Sequence, residues 1–265
     1  MKLPNRSYFQ NSTMGCKLNP STSPVFCKFQ PSKPELRTKY LFFSSSSSSS
    51  SFSFSDKLQR IRYSITDLEV PSTKANSYTV SFSTERDCRL GISRYPDFEY
   101  NAQGGRGTGS GDKVRNKDNV ADSELFVSFD LETLYIPPLT SSTTKFLGLP
   151  LPPFLKIDIV PLVFQGIINK QSGKVDLEFK AKFLFSAGSV YKAPPLLVKT
   201  VLTSEESKGA MKSGRGKRLN EEGKCKLVGV ATVDPIHDFF MNSFLGLPTE
   251  CLAELNSLII ISKSS

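Results

Sequence analysis

The chain has 265 residues, of which 38% are hydrophobic, a modest share that leaves part of the sequence outside any core. Its 34 Lys+Arg against 25 Asp+Glu give a formal +9, a balance that invites nucleic acid or an anionic membrane as partner. A single His excludes a multi-histidine metal site, and with it any active site needing two imidazoles.

The charge is unevenly placed. Residues 1–55 hold seven basic groups and one acid, Glu35, for +6, while 56–121 contribute +2 and 122–265 only +1. The leader is therefore the basic part, and nucleic acid is not expected as a partner of the rest. An unbroken serine run, Ser44 to Ser51, lies between Phe42, Phe43, Phe52 and Phe54. Such a tract offers no apolar face to offset chain entropy. Acid-poor and Ser-rich, 1–55 has the make-up of a transit peptide, with cleavage expected between 44 and 64. Pro4, Pro20, Pro24, Pro31 and Pro34 break any amphipathic helix, which favours a chloroplast over the mitochondrial alternative. A stromal location, or a peripheral one on the thylakoid or envelope membrane, is expected.

Residues 56–121 read as a largely disordered linker. Ser77 to Phe82 has the composition of a short strand. Arg94 to Tyr100 is an aromatic, charged cluster, either a docking motif or a segment lying along the domain. Gly104 to Gly111 reads as flexible. Its alternating glycines are not a phosphate loop, because no apolar strand precedes them and no helix follows.

The organised region is expected over 122–262. Leu125, Val127, Phe129 and Leu131 alternate with polar residues. Phe154 to Ile159 is a second strand candidate, and the stretch around Phe164 to Ile168 leads through a turn at Asn169 to Gly173 into the clearest one. There Val175, Leu177, Phe179, Ala181, Phe183 and Phe185 share one face, and Lys174, Asp176, Glu178, Lys180 and Lys182 the other. One face on a core and one in water is the habit of antiparallel sheets. Leu196 to Leu202 and Lys224 to Val233 complete at least five strands. Asp234-Pro235 then reads as a helix N-cap and Gly246 as its end, with Ile236, Phe239, Phe240 and Phe244 on the apolar face. A last helix is expected from about Thr249 to Ile260, on Leu252, Leu255 and Ile259. The fold class is α+β, mainly β: an antiparallel sheet or partly open barrel of five or more strands, closed by two short C-terminal helices.

No run of 18 apolar residues exists, so no transmembrane helix is expected. The most apolar stretch, Phe146 to Ile168, contains Pro150, Pro152, Pro153 and Pro161. Of five cysteines, Cys16 and Cys27 fall in the leader. Cys88, Cys225 and Cys251 have no metal-like spacing and read as inert thiols in a reducing compartment.

Few residues point to chemistry, and no catalytic residue, metal site or cofactor is expected. His237 pairs with Cys225 or Cys251 by no recognisable spacing. Asp130 with Glu132, and Asp176 with Glu178, would place carboxylates about 7 Å apart on one strand face. That suits paired-carboxylate catalysis or, more simply, a solvated sheet face. Lys212, Arg215, Lys217 and Arg218 cluster in the Ser204–Gly223 loop and are candidate anion contacts, for lipid headgroups or a protein.

A pentapeptide occurs twice: Phe146-Leu147-Gly148-Leu149-Pro150 and Phe244-Leu245-Gly246-Leu247-Pro248. Apolar residues in turns either plug a core or stand out as a docking patch. Phe146, Leu147, Leu149, Phe244, Leu245 and Leu247 are therefore candidate ligand or membrane contacts.

Asp130 to Leu139, Lys192-Ala193-Pro194-Pro195-Leu196 and Leu247 to Leu252 are the stretches on which the chain resembles an uncharacterised family of plant plastid-targeted proteins, over about residues 90–260. That resemblance implies a plastid address and no activity. Plastid lipid-associated (fibrillin) proteins are similar in their β-barrel architecture. Their C-terminal acidic and Arg motifs are not matched here, so none of their residues is carried over. Two functions follow as expectations. One is a non-catalytic chloroplast protein that binds an apolar or lipid ligand, or docks on a plastid membrane or photosynthetic complex. The other is a plastid enzyme using the sheet carboxylates.

Overall fold

A computed structural model describes residues 77–92, 94–114 and 124–263. The leader expected over 1–55, with its cleavage window, lies outside the described residues, as does the first part of the expected linker.

The described chain is mainly β, a large antiparallel sheet with one short helix. Four strands cover the first third: β1 (Tyr78–Thr84), β2 (Cys88–Ile92), β3 (Tyr95–Tyr100) and β4 (Arg106–Lys113). Then come β5 (Glu124–Phe129), the short pair β6 (Thr144–Phe146) and β7 (Leu149–Pro150), and the long hairpin β8 (Leu155–Asn169) and β9 (Lys174–Ala187). After β10 (Tyr191–Lys192) and β11 (Leu196–Thr203) a small hairpin, β12 (Glu206–Lys208) and β13 (Ser213–Arg215), branches off. β14 (Lys224–Val233), helix α1 (Phe239–Leu245) and β15 (Thr249–Lys263) finish the chain.

The strands close into a barrel, in the order β1-β4-β5-β8-β9-β11-β14-β15 and back to β1. β8 and β15, each of 15 residues, are long enough to serve two storeys. In the lower storey Ser257 to Lys263 of β15 pair with β1. In the upper storey Cys251 to Glu254 pair instead with β2, which leads through β3 to β6 and β7. A bridge between Leu139 and Ile157 returns that wall to β8. One seam is thin: β11 meets β14 only at Thr203 opposite Val228. Above it the Thr200 hydroxyl donates to the Val230 carbonyl at 2.8 Å, and Val230 N–H donates to Ser207 of the small hairpin at 3.0 Å. Side chains thus satisfy strand groups that a neighbouring strand would otherwise take.

The lower storey is filled. Val80, Val127, Ile168, Val175, Leu177 and Leu227 are fully buried there. Phe129 stacks on Phe164 at 4.6 Å, with Phe82 edge-on at 5.0 Å to Phe164, the offset and edge arrangements that aromatic rings prefer.

Two expectations are corrected. The Gly-rich stretch expected as a linker is β4, paired with β1 and β5. Its glycines answer to close approach: a Cβ on Gly107 would lie 2.7 Å from Leu134 Cδ1, and one on Gly109 would run into the Ser128 carbonyl and lie 2.8 Å from Phe129 Cα. The second correction concerns the two C-terminal helices. Among the described residues only one helix forms, and Thr249–Lys263 is a barrel strand between β14 and β1 or β2. Leu252, Leu255 and Ile259 fit a helical period. However, Cys251, Ala253, Leu255, Ser257, Ile259 and Ile261 also fit a period of two, and the β-branched run 259–261 favours extended backbone.

The helix that does form starts later than expected. Asp238, not Asp234, is its N-cap, accepting from Met241 N–H at 2.8 Å, while Gly246 at φ 67° ends it. Asn242 reaches back and holds both backbone groups of Ile236. The buried face is Met241 and Leu245, one turn apart, so Phe239 and Phe240 face outward rather than into the core, while Phe244 is part exposed and part turned to Phe185 and Tyr95.

Candidate functional site

The upper storey is hollow. A cavity of about 450 Å³ runs inside the barrel above the packed aromatic layer. Phe179, Phe183 and Phe185 of β9, Val198 of β11 and Leu255 of β15 form its walls, with Leu139 and Leu151 opposite. These positions are the inward face of a period-two pattern, so the same alternation that builds the barrel lines the cavity with hydrocarbon. Pro152, Tyr135 and Phe244 line it and are also exposed, so it opens to the surface.

Four of the lining hydroxyls are turned to backbone carbonyls. Thr84 donates to the Ala102 carbonyl at 2.6 Å, Tyr95 to Phe244 at 2.6 Å, Tyr100 to Pro137 at 2.5 Å and Thr200 to Val230 at 2.8 Å. Among the described residues no Asp, Glu, Lys, Arg or His borders the cavity. Burial pushes the Tyr100 phenol well up, so it stays neutral. Cys251 faces the cavity, and burial raises its thiol to about 11, with Lys212 pulling weakly the other way. Burial likewise lifts Cys225 to about 12 and raises Cys88. These are poor nucleophiles.

The two pentapeptides come together at the mouth. Phe146 stacks on Phe98 at 4.7 Å, and the Tyr95 ring lies 6.3 Å from Phe146 and 5.7 Å from Phe244. Their backbones differ completely. The first copy is a two-residue hairpin turn between β6 and β7, with positive φ at Leu147 and Gly148. The second ends helix α1. Phe146, Phe244, Leu245 and Leu247 line the cavity, whereas Leu147 and Leu149 point to solvent, each 70% exposed.

The four candidate anion contacts do not form one free patch. Lys212 is tied to Asp97 at 2.9 Å, and Arg218 to Glu205 at 2.5 Å. Arg215 lies opposite Glu206 in the small hairpin, and Lys217 opposite Lys226 in a bridge to β14. The hairpin tip instead grips a carboxylate of the chain itself. Ala210, Met211 and Lys212 N–H groups donate to Glu250 at 2.7, 2.8 and 2.9 Å. Burial alone would raise the Glu250 carboxyl, but these three donors outweigh it and hold it below the ordinary range.

The sheet carboxylates stand outside the cavity. Asp176 binds Lys174 at 3.2 Å and accepts from Thr203 at 2.5 Å, and Glu178 pairs with Lys199 at 3.7 Å. Asp130 accepts from Glu132 N–H at 3.0 Å, closing a turn after β5 rather than sharing a strand face with it. His237 is exposed, ahead of helix α1. Among the described residues no group of three or more His, Cys, Asp or Glu could hold a metal ion, and no helix is long and apolar enough to cross a membrane.

Sequence reasoning missed Tyr95, Phe98 and Tyr100 as cavity wall. Their signal was an aromatic alternation interrupted by the register shift between Leu90 and Ile92, opposite Phe98 and Tyr95. Compared with known proteins, the chain matches no family model, no curated protein and no solved structure.

Proposed function

We propose that the chain is a non-catalytic chloroplast protein that binds an apolar, lipid-like ligand inside the upper storey of its barrel. The observation that carries this reading is a 450 Å³ cavity lined, among the described residues, without a charged side chain and with the Thr84, Tyr95, Tyr100 and Thr200 hydroxyls already bonded to backbone. Such a wall gives hydrocarbon a gain of about 25 cal/mol per Å² buried and offers a polar headgroup nothing, so any headgroup stays at the mouth. At ~30 Å³ per water-sized group, 450 Å³ holds roughly 15 such groups, the scale of one acyl or isoprenoid chain. Its size also falls within the range of small-molecule sites. The plastid address rests on the leader composition.

The test is titration of the full chain with a fluorescent fatty acid, beside solvent extraction and mass spectrometry of what co-purifies. The variant Ala253→Phe places a ring from the inward face of β15 into the cavity. It is expected to weaken binding at least tenfold while the thermal midpoint stays near that of the parent, because the ring fills existing space. Saturable binding that Ala253→Phe leaves unchanged would sink the reading.

A further inference from the structure

The mouth of the cavity is rimmed by apolar side chains that contribute nothing to the core. Phe239 is 88% exposed, Phe240 54% and Val190 93%, beside Leu147 and Leu149. They belong to separate segments: helix α1, the turn from β9 to β10, and the hairpin turn from β6 to β7. The strand register brings all of these to the same end of the barrel. Tyr95 and the Phe240–Phe244 stack at 5.7 Å join rim to cavity wall.

Leu147 is the least expected of them. It sits at φ 51°, a conformation that bulky L residues avoid, with its side chain in water, so the fold gains little from a leucine there. Asn or Gly would suit that turn better. Two rim lysines, Lys145 next to Phe146 and Lys192 next to Tyr191, form no ion pair among the described residues.

We propose that this end of the barrel docks on a lipid bilayer, with Leu147, Leu149, Phe239, Phe240 and Val190 among the acyl chains and Lys145 and Lys192 at anionic headgroups. Two observations select a bilayer over a protein surface. The apolar tips share the barrel end at which Phe146, Phe244 and Leu247 line the cavity, and Phe240 stacks on Phe244, so the docked surface adjoins the hydrocarbon-lined wall. Lys145 and Lys192 stand beside two of the tips, as an anionic interface favours, with Asp234 and Asp238 the acidic groups ahead of helix α1.

The inference goes beyond the ligand reading, and the two fail separately. Flotation of the full chain with phosphatidylcholine vesicles, with and without phosphatidylglycerol, measures docking, and fluorescent fatty-acid titration measures the cavity. The full chain is expected to float, more so with phosphatidylglycerol and less so as salt rises. The double variants Phe239→Ser/Phe240→Ser and Leu147→Asn/Leu149→Ser are each expected to lower partition about tenfold or more while fatty-acid binding persists. Leu147→Asn creates a favoured Asn-Gly turn, so its fold is secure. Ile260→Ser, at the opposite end and half-exposed, should float like the parent. Failure of the parent to float, or rim variants that float equally well, would overturn the proposal. So would a rim that dimerises the chain and ignores vesicles. Ala253→Phe that loses fatty acid yet still floats leaves docking standing without the ligand reading.

Discussion

The two storeys of the barrel are made from the same strands and differ in almost every other respect. Below, β1, β4 and β5 close against β8 and β15, inward glycines admit Phe82, Phe129 and Leu134, and the interior is solid. Above, those strands give way to β2, β3 and β6, the wall moves outward, and Phe179, Phe183 and Phe185 face space instead of one another's partners. One strand, β9, runs through both. Hydrophobic alternation is therefore neutral about filling; what decides it is which neighbour lies across the barrel.

The largest expected effect tests that difference directly. Leu177→Ala, in the solid storey, should cost about 4 kcal/mol, because packed neighbours cannot collapse onto the lost atoms. Leu196→Ala, on a cavity-lining position of β11, should cost about half as much, since its side chain already faces open space on one side. Denaturant unfolding of both variants measures the gap. Equal losses would mean that the upper storey is packed as tightly as the lower.

Gly109→Ala should cost about 2 kcal/mol although it adds a single methyl group. The added carbon meets the backbone of β5 rather than a side chain that could swing away. The same denaturant midpoint reads it, and an unchanged midpoint would show that the β4–β5 approach is looser than described.

This contrast also explains what was legible in the sequence. The inward face of β9 could be read residue by residue, because strict alternation over twelve residues has one physical solution. The β-rich class followed. The glycines of β4 could not be read, since glycine signals flexibility and close approach equally, and only Leu134 and Phe129, distant in sequence, decide between them. Helix against strand at Thr249–Lys263 was ambiguous for a similar reason. Leu252, Leu255 and Ile259 satisfied a helical period while β14 waited to pair. The aromatic face of α1 was misread because Met241 and Leu245, rather than the phenylalanines, turn into the core. As for the site, the pentapeptides were visible as an oddity, but their meeting across Tyr95 belongs to tertiary structure.

The smallest expected effect concerns how the hollow storey is propped from outside. The hairpin β12–β13 lies against the outer face of β14 and β15, so close that a Cβ on Gly214 would meet Val228 and Leu252. It also supplies Ser207 to Val230 at the thin seam. Its tip is held by Glu250 through three backbone N–H groups. Since the folded-state pKa of Glu250 lies below its unfolded value, the clasp contributes fully above the ordinary glutamate range near 4.5 and is lost as pH falls through the lower, folded value. The amide resonances of Ala210, Met211 and Lys212 should therefore titrate together below pH 4.5 in the parent. In Glu250→Gln they should be shifted already at neutral pH and stay flat on acidification. That variant should lose about 1 kcal/mol, because a neutral amide still accepts but more weakly than a carboxylate. A parent whose three amides ignore pH would mean that the hairpin is fixed by its other ties, Ser207, Lys212–Asp97 and the Lys217–Lys226 bridge. The hollow storey would then need no carboxylate clasp at its seam.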